Sequence, residues 1–146
     1  LKTTTLNDGT PIELVLSDLN GSEWLRFNQP AYSFLFDNIK NMEIYGASYN
    51  FKAVLTEKIC PNGWHVPSNE EWNELKNFLG DSVGNKLKEA GFEHWRKYPD
   101  SEASNSSGFT GLPGGVRMSY GRFYDYIGGW WSNYNSSYWY VNTNDA

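Results

Sequence analysis

A chain of 146 residues is long enough for one domain with a real core, and 39% hydrophobic against 20% charged residues marks it as globular rather than disordered. A net charge of −5, from 12 Lys and Arg against 17 Asp and Glu, argues against a nucleic-acid binder, since phosphate contacts need clustered basic side chains. The 7 Trp, 10 Tyr and 8 Phe put much of the apolar content on rings; no run approaches the length of a membrane span, and one cysteine cannot form an internal disulfide.

Taken in order, Asn7, Asp8 and Gly9 form a turn by composition, and the run from Ile12 to Leu16 reads as a strand of the main sheet. Asp18 to Pro30 is polar, broken by Gly21 and Pro30, and reads as loop. The ring-rich stretch Ala31 to Phe36 reads as strand or buried connector, and Asn38 to Tyr49 as irregular. Tyr49, Ala53 and Val54 share a helical face, which suits a short helix leading toward Cys60.

Three local signals then meet between Cys60 and Leu75. Pro61, Asn62 and Gly63 make a turn, because Pro presets one backbone angle and Asn and Gly tolerate positive φ. Ser68 with Glu71 three residues on predicts a capping box, and Trp72, Leu75, Phe78 and Leu79 predict the apolar face of a helix that Gly80 ends. Trp64 and His65 lie on the extended lead-in, where Pro67 disfavours helical geometry at Val66.

After Gly80, Asp81 or Ser82 is placed to cap a second helix in which Val83, Leu87 and Ala90 share a face and which Gly91 ends. Pro99 to Ser107 reads as surface loop, and Phe109 to Ala146 as strand and turn. No internal repeat is evident and no sharp composition break marks a second domain, so residues 1–146 read as a single domain.

The last segment differs in composition from everything before it. Between Pro113 and Ala146 there are ten aromatic and four charged residues, with Asn, Ser and Gly filling most of the remainder. Tyr and Trp offer stiff contact area at low entropic cost while Ser, Asn and Gly offer adaptable hydrogen bonds, the composition of a binding loop. From Tyr134 to Asn144 apolar and polar residues do not alternate cleanly, so a half-buried strand explains only part of the stretch. Trp130 and Trp131 read as core, and for Tyr120, Tyr124, Tyr134, Tyr138 and Tyr140 core and surface stay open.

Catalytic readings find little support. The two histidines, His65 and His94, sit on unrelated segments without metal-ligand spacing; His65 reads as a hydrogen-bonded residue of the turn and His94 as a surface or packing residue. No Gly-x-Ser-x-Gly nucleophile motif is present, and Gly111 to Gly115 is interrupted by Pro113 and lacks a following Lys, so it reads as a turn rather than a phosphate loop.

Cys60, Pro61, Gly63, Trp64, His65, Pro67, Ser68, Glu71, Trp72 and Leu75 together resemble the signature of the Fibrobacter succinogenes major paralogous domain, a large family of bacterial and phage surface-type domains. Asp8 to Ile12, Tyr45 to Asn50 with Ala53 and Val54, Lys86 to Glu89, His94-Trp95, Ser107 to Thr110, Leu112 to Gly115 with Arg117, and Trp130 to Ser132 follow the family order, so the resemblance covers nearly the whole chain. More distantly, His65 to Trp72 is similar to a segment of the formylglycine-generating proteins. The resemblance implies an α+β, C-type-lectin-like fold of the formylglycine-generating type, with two short helices packed on small antiparallel sheets and much irregular loop.

Departures narrow the function. Formylglycine-generating chemistry uses a pair of cysteines, and this chain has only Cys60. The sugar-binding members of the lectin fold hold Ca²⁺ through Glu-Pro-Asn or Gln-Pro-Asp and Trp-Asn-Asp, whereas here Gln29-Pro30 is followed by Ala31 and Trp131 by Ser132. Family members usually continue into a closing strand whose Cys is placed to pair with the equivalent of Cys60; the sequence stops at Ala146 without it, through truncation or a different closure. Some relatives are targets of diversity-generating retroelements that rewrite adenine positions, turning Asn codons into Tyr, Ser, Asp or Thr. Ordinary members carry a similar tail, so both alternatives remain.

The expectation is a non-enzymatic recognition domain without metal or other cofactor, secreted or on a cell or virion surface. Its ligand surface would be Tyr120, Arg122, Tyr124, Tyr126, Asn133, Tyr134, Asn135, Tyr138, Tyr140 and Asn142. The partner would be a protein or glycan on another cell or particle, with neither nucleic acid binding nor membrane insertion. The alternative is an extracellular structural or carbohydrate-adhesion module without calcium, its rings mainly core.

Overall fold

The structure, a computed structural model, describes residues 1–16, 24, 27–97, 102–118 and 121–145. The expected loop from Asp18 to Pro30 lies largely outside the described residues, as does the start of the one from Pro99 to Ser107. The class is α+β, with four short α-helices and small sheets among the described residues.

The turn at Asn7 to Gly9 closes with Gly9 N donating to Leu6 O at 2.9 Å, and the chain then enters β1 (Glu13–Leu14). That strand runs parallel to β2 (Ala31–Ser33), which pairs antiparallel with β3 (Ser48–Tyr49), so the N-terminal strand belongs to the largest sheet of the described residues. Leu6, Ile12, Tyr49, Ala53 and Ile59 bury one core cluster behind it. Between β2 and β3 the sequence reads as irregular, yet Ile39–Tyr45 forms a helix, α1, capped by the Asn38 side chain accepting from Lys40 N. No residue of α1 is fully buried. Its apolar side chains make no single stripe, since Ile44 stands roughly 140° round the helix from Ile39 at about 100° per residue, so periodicity had nothing to detect.

The short helix expected before Cys60 is α2 (Phe51–Val54). Asn50 Oδ1 caps it by accepting from Ala53 N at 3.1 Å and also accepts from Ala31 N at 3.0 Å, which ties the helix to β2. After the Pro61 turn, α3 spans Asn69–Leu79 with the capping box formed: Glu71 N donates to Ser68 Oγ at 3.2 Å and Ser68 N to Glu71 Oε2 at 2.8 Å. Trp72 is buried and Leu75 and Leu79 are half-buried on one face, but Phe78 is 86% exposed. At about 100° per residue Phe78 falls roughly 90° from the centre of the Trp72, Leu75 and Leu79 stripe, at its solvent margin, which corrects its placement there.

The second predicted helix is shorter than its sequence suggests. It is α4 (Val83–Leu87), with Ser82 at φ 57 and no capping side-chain bond. Ala90 falls outside because Lys88 turns extended to bridge Gly111, and Glu89 N donates to Gly111 O at 3.0 Å.

The C-terminal part holds two hairpins, β4 (Val116–Arg117) with β5 (Phe123–Tyr124), and β6 (Ile127–Trp131) with β7 (Tyr138–Asn142). Gly115 bridges Gly128, placing β4 between β5 and β6. A Cβ at Gly128 would lie 2.6 Å from the Trp130 ring and 2.8 Å from Leu112 O, so only glycine lets the loop before β4 approach the sheet this closely. Trp130, half-buried, joins a core cluster of Leu87, Trp95 and Val141 with Leu75, Leu79 and Val83, which fastens the second hairpin to α3 and α4.

Candidate functional site

Strand β7 alternates: Tyr138 and Tyr140 are exposed, Val141 is buried and Trp139 half-buried. Since Trp131 pairs with Tyr138 and Trp130 with Trp139, the two strands share an outer and an inner face. On the inner face Trp139 stacks on Trp72 with centroids 5.8 Å apart and planes at 20°, and Phe109 lies edge-on between Trp72 at 6.3 Å and Trp130 at 5.1 Å. On the outer face the rings run in a row, Phe51 to Trp131 at 5.5 Å, Trp131 to Tyr138 at 5.9 Å and Tyr138 to Tyr140 at 6.1 Å. Trp131, assigned to the core with Trp130, is thus half-buried and forms part of the outer row.

The corner formed by the Pro61 turn, the extended lead-in and the start of α3, together with the end of β3, holds this hairpin at its turn. Trp131 Nε1 donates to Tyr49 O at 2.8 Å, Asn133 N to Pro67 O at 2.9 Å, and Trp72 Nε1 to Trp131 O at 3.3 Å. At the other end Lys88, 2% exposed, donates through Nζ to Thr143 O at 2.9 Å and also to Asp145 O. Burial pulls the Lys88 ammonium below its ordinary pKa, opposed by the Asp145 charge. His65 Nε2 meets both Glu71 oxygens, at 2.8 and 3.0 Å. The Glu71 carboxyl is held below its usual range, first by the Ser68 N–H and then by His65. Cys60 is half-buried, and burial raises its thiol pKa.

The expected ligand residues separate into three groups. Asn133, Tyr134 and Asn135 are exposed in the turn between β6 and β7, next to Tyr138 and Tyr140; Tyr134 is 65% and Tyr140 52% exposed. Arg122 and Tyr124 are exposed on the first hairpin, with β4 between them and β6. Tyr126 and Asn142 are half-buried: the Arg96 guanidinium lies 3.3 Å from the Tyr126 ring centroid and bonds its hydroxyl, and the Tyr126 carbonyl accepts from Thr143 N at 3.1 Å. Tyr120 lies outside the described residues. The sequence reading missed Phe51, whose ring joins the row from α2 only through tertiary packing.

It also missed a cluster on the loop that follows α4. Glu89, Glu93 and His94 bring one potential ligand atom each within 4.8 Å of one another. Their spacing, with Gly91 between, is the only local trace of this.

The family model described as Fibrobacter succinogenes major domain matches residues 1–146. The chain belongs to that family. No curated protein and no solved structure matches it. In this Fibrobacter succinogenes major domain, no helix of the described residues is long and apolar enough to cross a membrane.

Proposed function

We propose that this Fibrobacter succinogenes major domain is a non-enzymatic recognition module with a C-type-lectin-like fold, displayed outside the cell or on a virion, which grips a protein or glycan on another surface. What supports the reading is the outer row Phe51, Trp131, Tyr138 and Tyr140 beside the exposed Asn133, Tyr134 and Asn135. The rings give rigid apolar area, the amides give adjustable hydrogen bonds, and the hairpin beneath is tied to the corner through Trp131, Asn133 and Trp72, so little is spent on ordering it when a ligand arrives. Arg122 and Tyr124 extend the surface along the neighbouring hairpin.

The exposure of Tyr134, Tyr138 and Tyr140 also favours an adhesion reading, in which individual rings stack on the apolar face of a sugar without calcium. A further part of the proposal is that the tail is a retroelement target, since the exposed turn is made of Asn, Tyr and Ser, residues reachable from one adenine-rich codon. A neighbouring reverse transcriptase gene with an adenine-rich template copy tests that part.

The function itself is tested by probing glycan and protein arrays with the wild-type domain and with Tyr138→Thr/Tyr140→Thr. Thr keeps the strand preference while deleting the rings. Binding to any array hit should fall at least about tenfold in the variant, on the scale of losing one or two contact anchors. Unchanged binding would place the ligand elsewhere.

A further inference from the structure

We propose that Glu89, Glu93 and His94 form a binding site for a divalent transition cation of the zinc class, on the 89–95 loop and apart from the ring row. Two carboxylates and an imidazole suit such an ion, because the imidazole favours zinc, nickel or cobalt over magnesium and calcium and the carboxylates supply the opposing charge. His94 Nδ1 lies 2.8 Å from Glu89 Oε2, and all three donor atoms fall within 4.8 Å. Ligand atoms around zinc sit roughly 3 to 3.5 Å apart, given bonds of about 2.0 to 2.2 Å, so Glu89 and His94 have to part by only about half an ångström, exchanging their hydrogen bond for the ion, while the exposed Glu93 swings inward.

The loop is built to hold that geometry. Its two ends converge on one oxygen, with Glu89 N donating to Gly111 O at 3.0 Å and Trp95 Nε1 to the same atom at 2.8 Å. Trp95 is only 3% exposed and anchors the far end in the core, while Gly91 N donates to Ala103 O at 3.2 Å across the bend. Tyr45 packs edge-on against the His94 ring at 5.6 Å and 81°, which fixes the plane of the imidazole. Glu89 and His94 side chains are each 20% exposed, so two of the three ligands are partly desolvated and the third faces water, leaving coordination positions for solvent. The competing arrangement is a plain Glu89–His94 hydrogen bond that takes no ion, and Glu93 distinguishes the two because it has no part in that bond.

The experiment is calorimetric titration of chelator-stripped domain with Zn²⁺, with the His94 ring resonances followed by NMR. Wild-type protein should take one ion per chain in a saturable isotherm that shifts the His94 resonances. Glu93→Gln, at an exposed position, should weaken binding at least tenfold with the fold intact, and His94→Ala should abolish it. Glu74→Gln, another exposed carboxylate on α3, should bind as wild type. An isotherm that does not saturate, or a Glu93→Gln variant that binds like wild type, overturns the site and leaves the hydrogen bond as its whole content.

Discussion

The two faces of the β6–β7 hairpin carry the same kind of side chain and meet opposite surroundings. On one, Trp130, Trp139 and Val141 press against Trp72, Phe109 and the α3–α4 core; on the other, Trp131, Tyr138 and Tyr140 touch Phe51 and one another and then water. Ring content alone therefore does not separate core from contact surface in this chain. What lies opposite decides, and substitutions on each side measure how far the two faces differ.

The largest effect is expected at Trp72. It is 6% exposed, stacks on Trp139 and donates to Trp131 O, so Trp72→Ala should cost about 3–5 kcal/mol in urea unfolding. A cost under about 1 kcal/mol would mean that the inner face is not the hairpin's main attachment. Next comes Lys88→Met, which leaves the Thr143 and Asp145 carbonyls without their donor and should cost about 1–3 kcal/mol, with faster amide exchange in β7. Because Lys88 has a lowered pKa in the folded state, the native form binds its proton less tightly than the unfolded chain. Its contribution to stability should thus rise with pH through the window between the lowered and ordinary lysine values, and that rise should vanish in the Met variant.

Ser68→Ala removes half of the capping box and should cost about 1 kcal/mol. Acid should act on the same box. The Glu71 pKa is depressed on folding, so its contribution is present above the ordinary glutamate range and is lost as pH falls through the lower folded value. Glu71→Gln should flatten that acid limb.

These residues also mark where the fold could be read in advance. The corner and α3 were legible because each signal is local: a turn dipeptide, a cap three residues from its partner, and an apolar stripe with period near 3.6. The strand at β7 was obscured because Tyr138 and Tyr140 outside are as aromatic as Trp139 inside, so exposure alternates while side-chain type does not. Helix α1 gave no stripe, and α4 ended early for a pairing with Gly111 that lies more than twenty residues on. The exposed turn at Asn133 to Asn135 followed from composition; Phe51 and the Glu89–Glu93–His94 cluster needed three-dimensional packing to come together.

Urea unfolding of Tyr138→Thr/Tyr140→Thr beside Trp139→Thr tests the division of the hairpin most directly, since all three substitutions fall on one strand. Trp139→Thr should cost about 3 kcal/mol or more, as the loss of a packed large ring does. The double outer variant should cost about 1 kcal/mol, the worth of one or two exposed ring contacts. Equal losses would contradict the account, making the outer rings as much a part of the core as the inner ones.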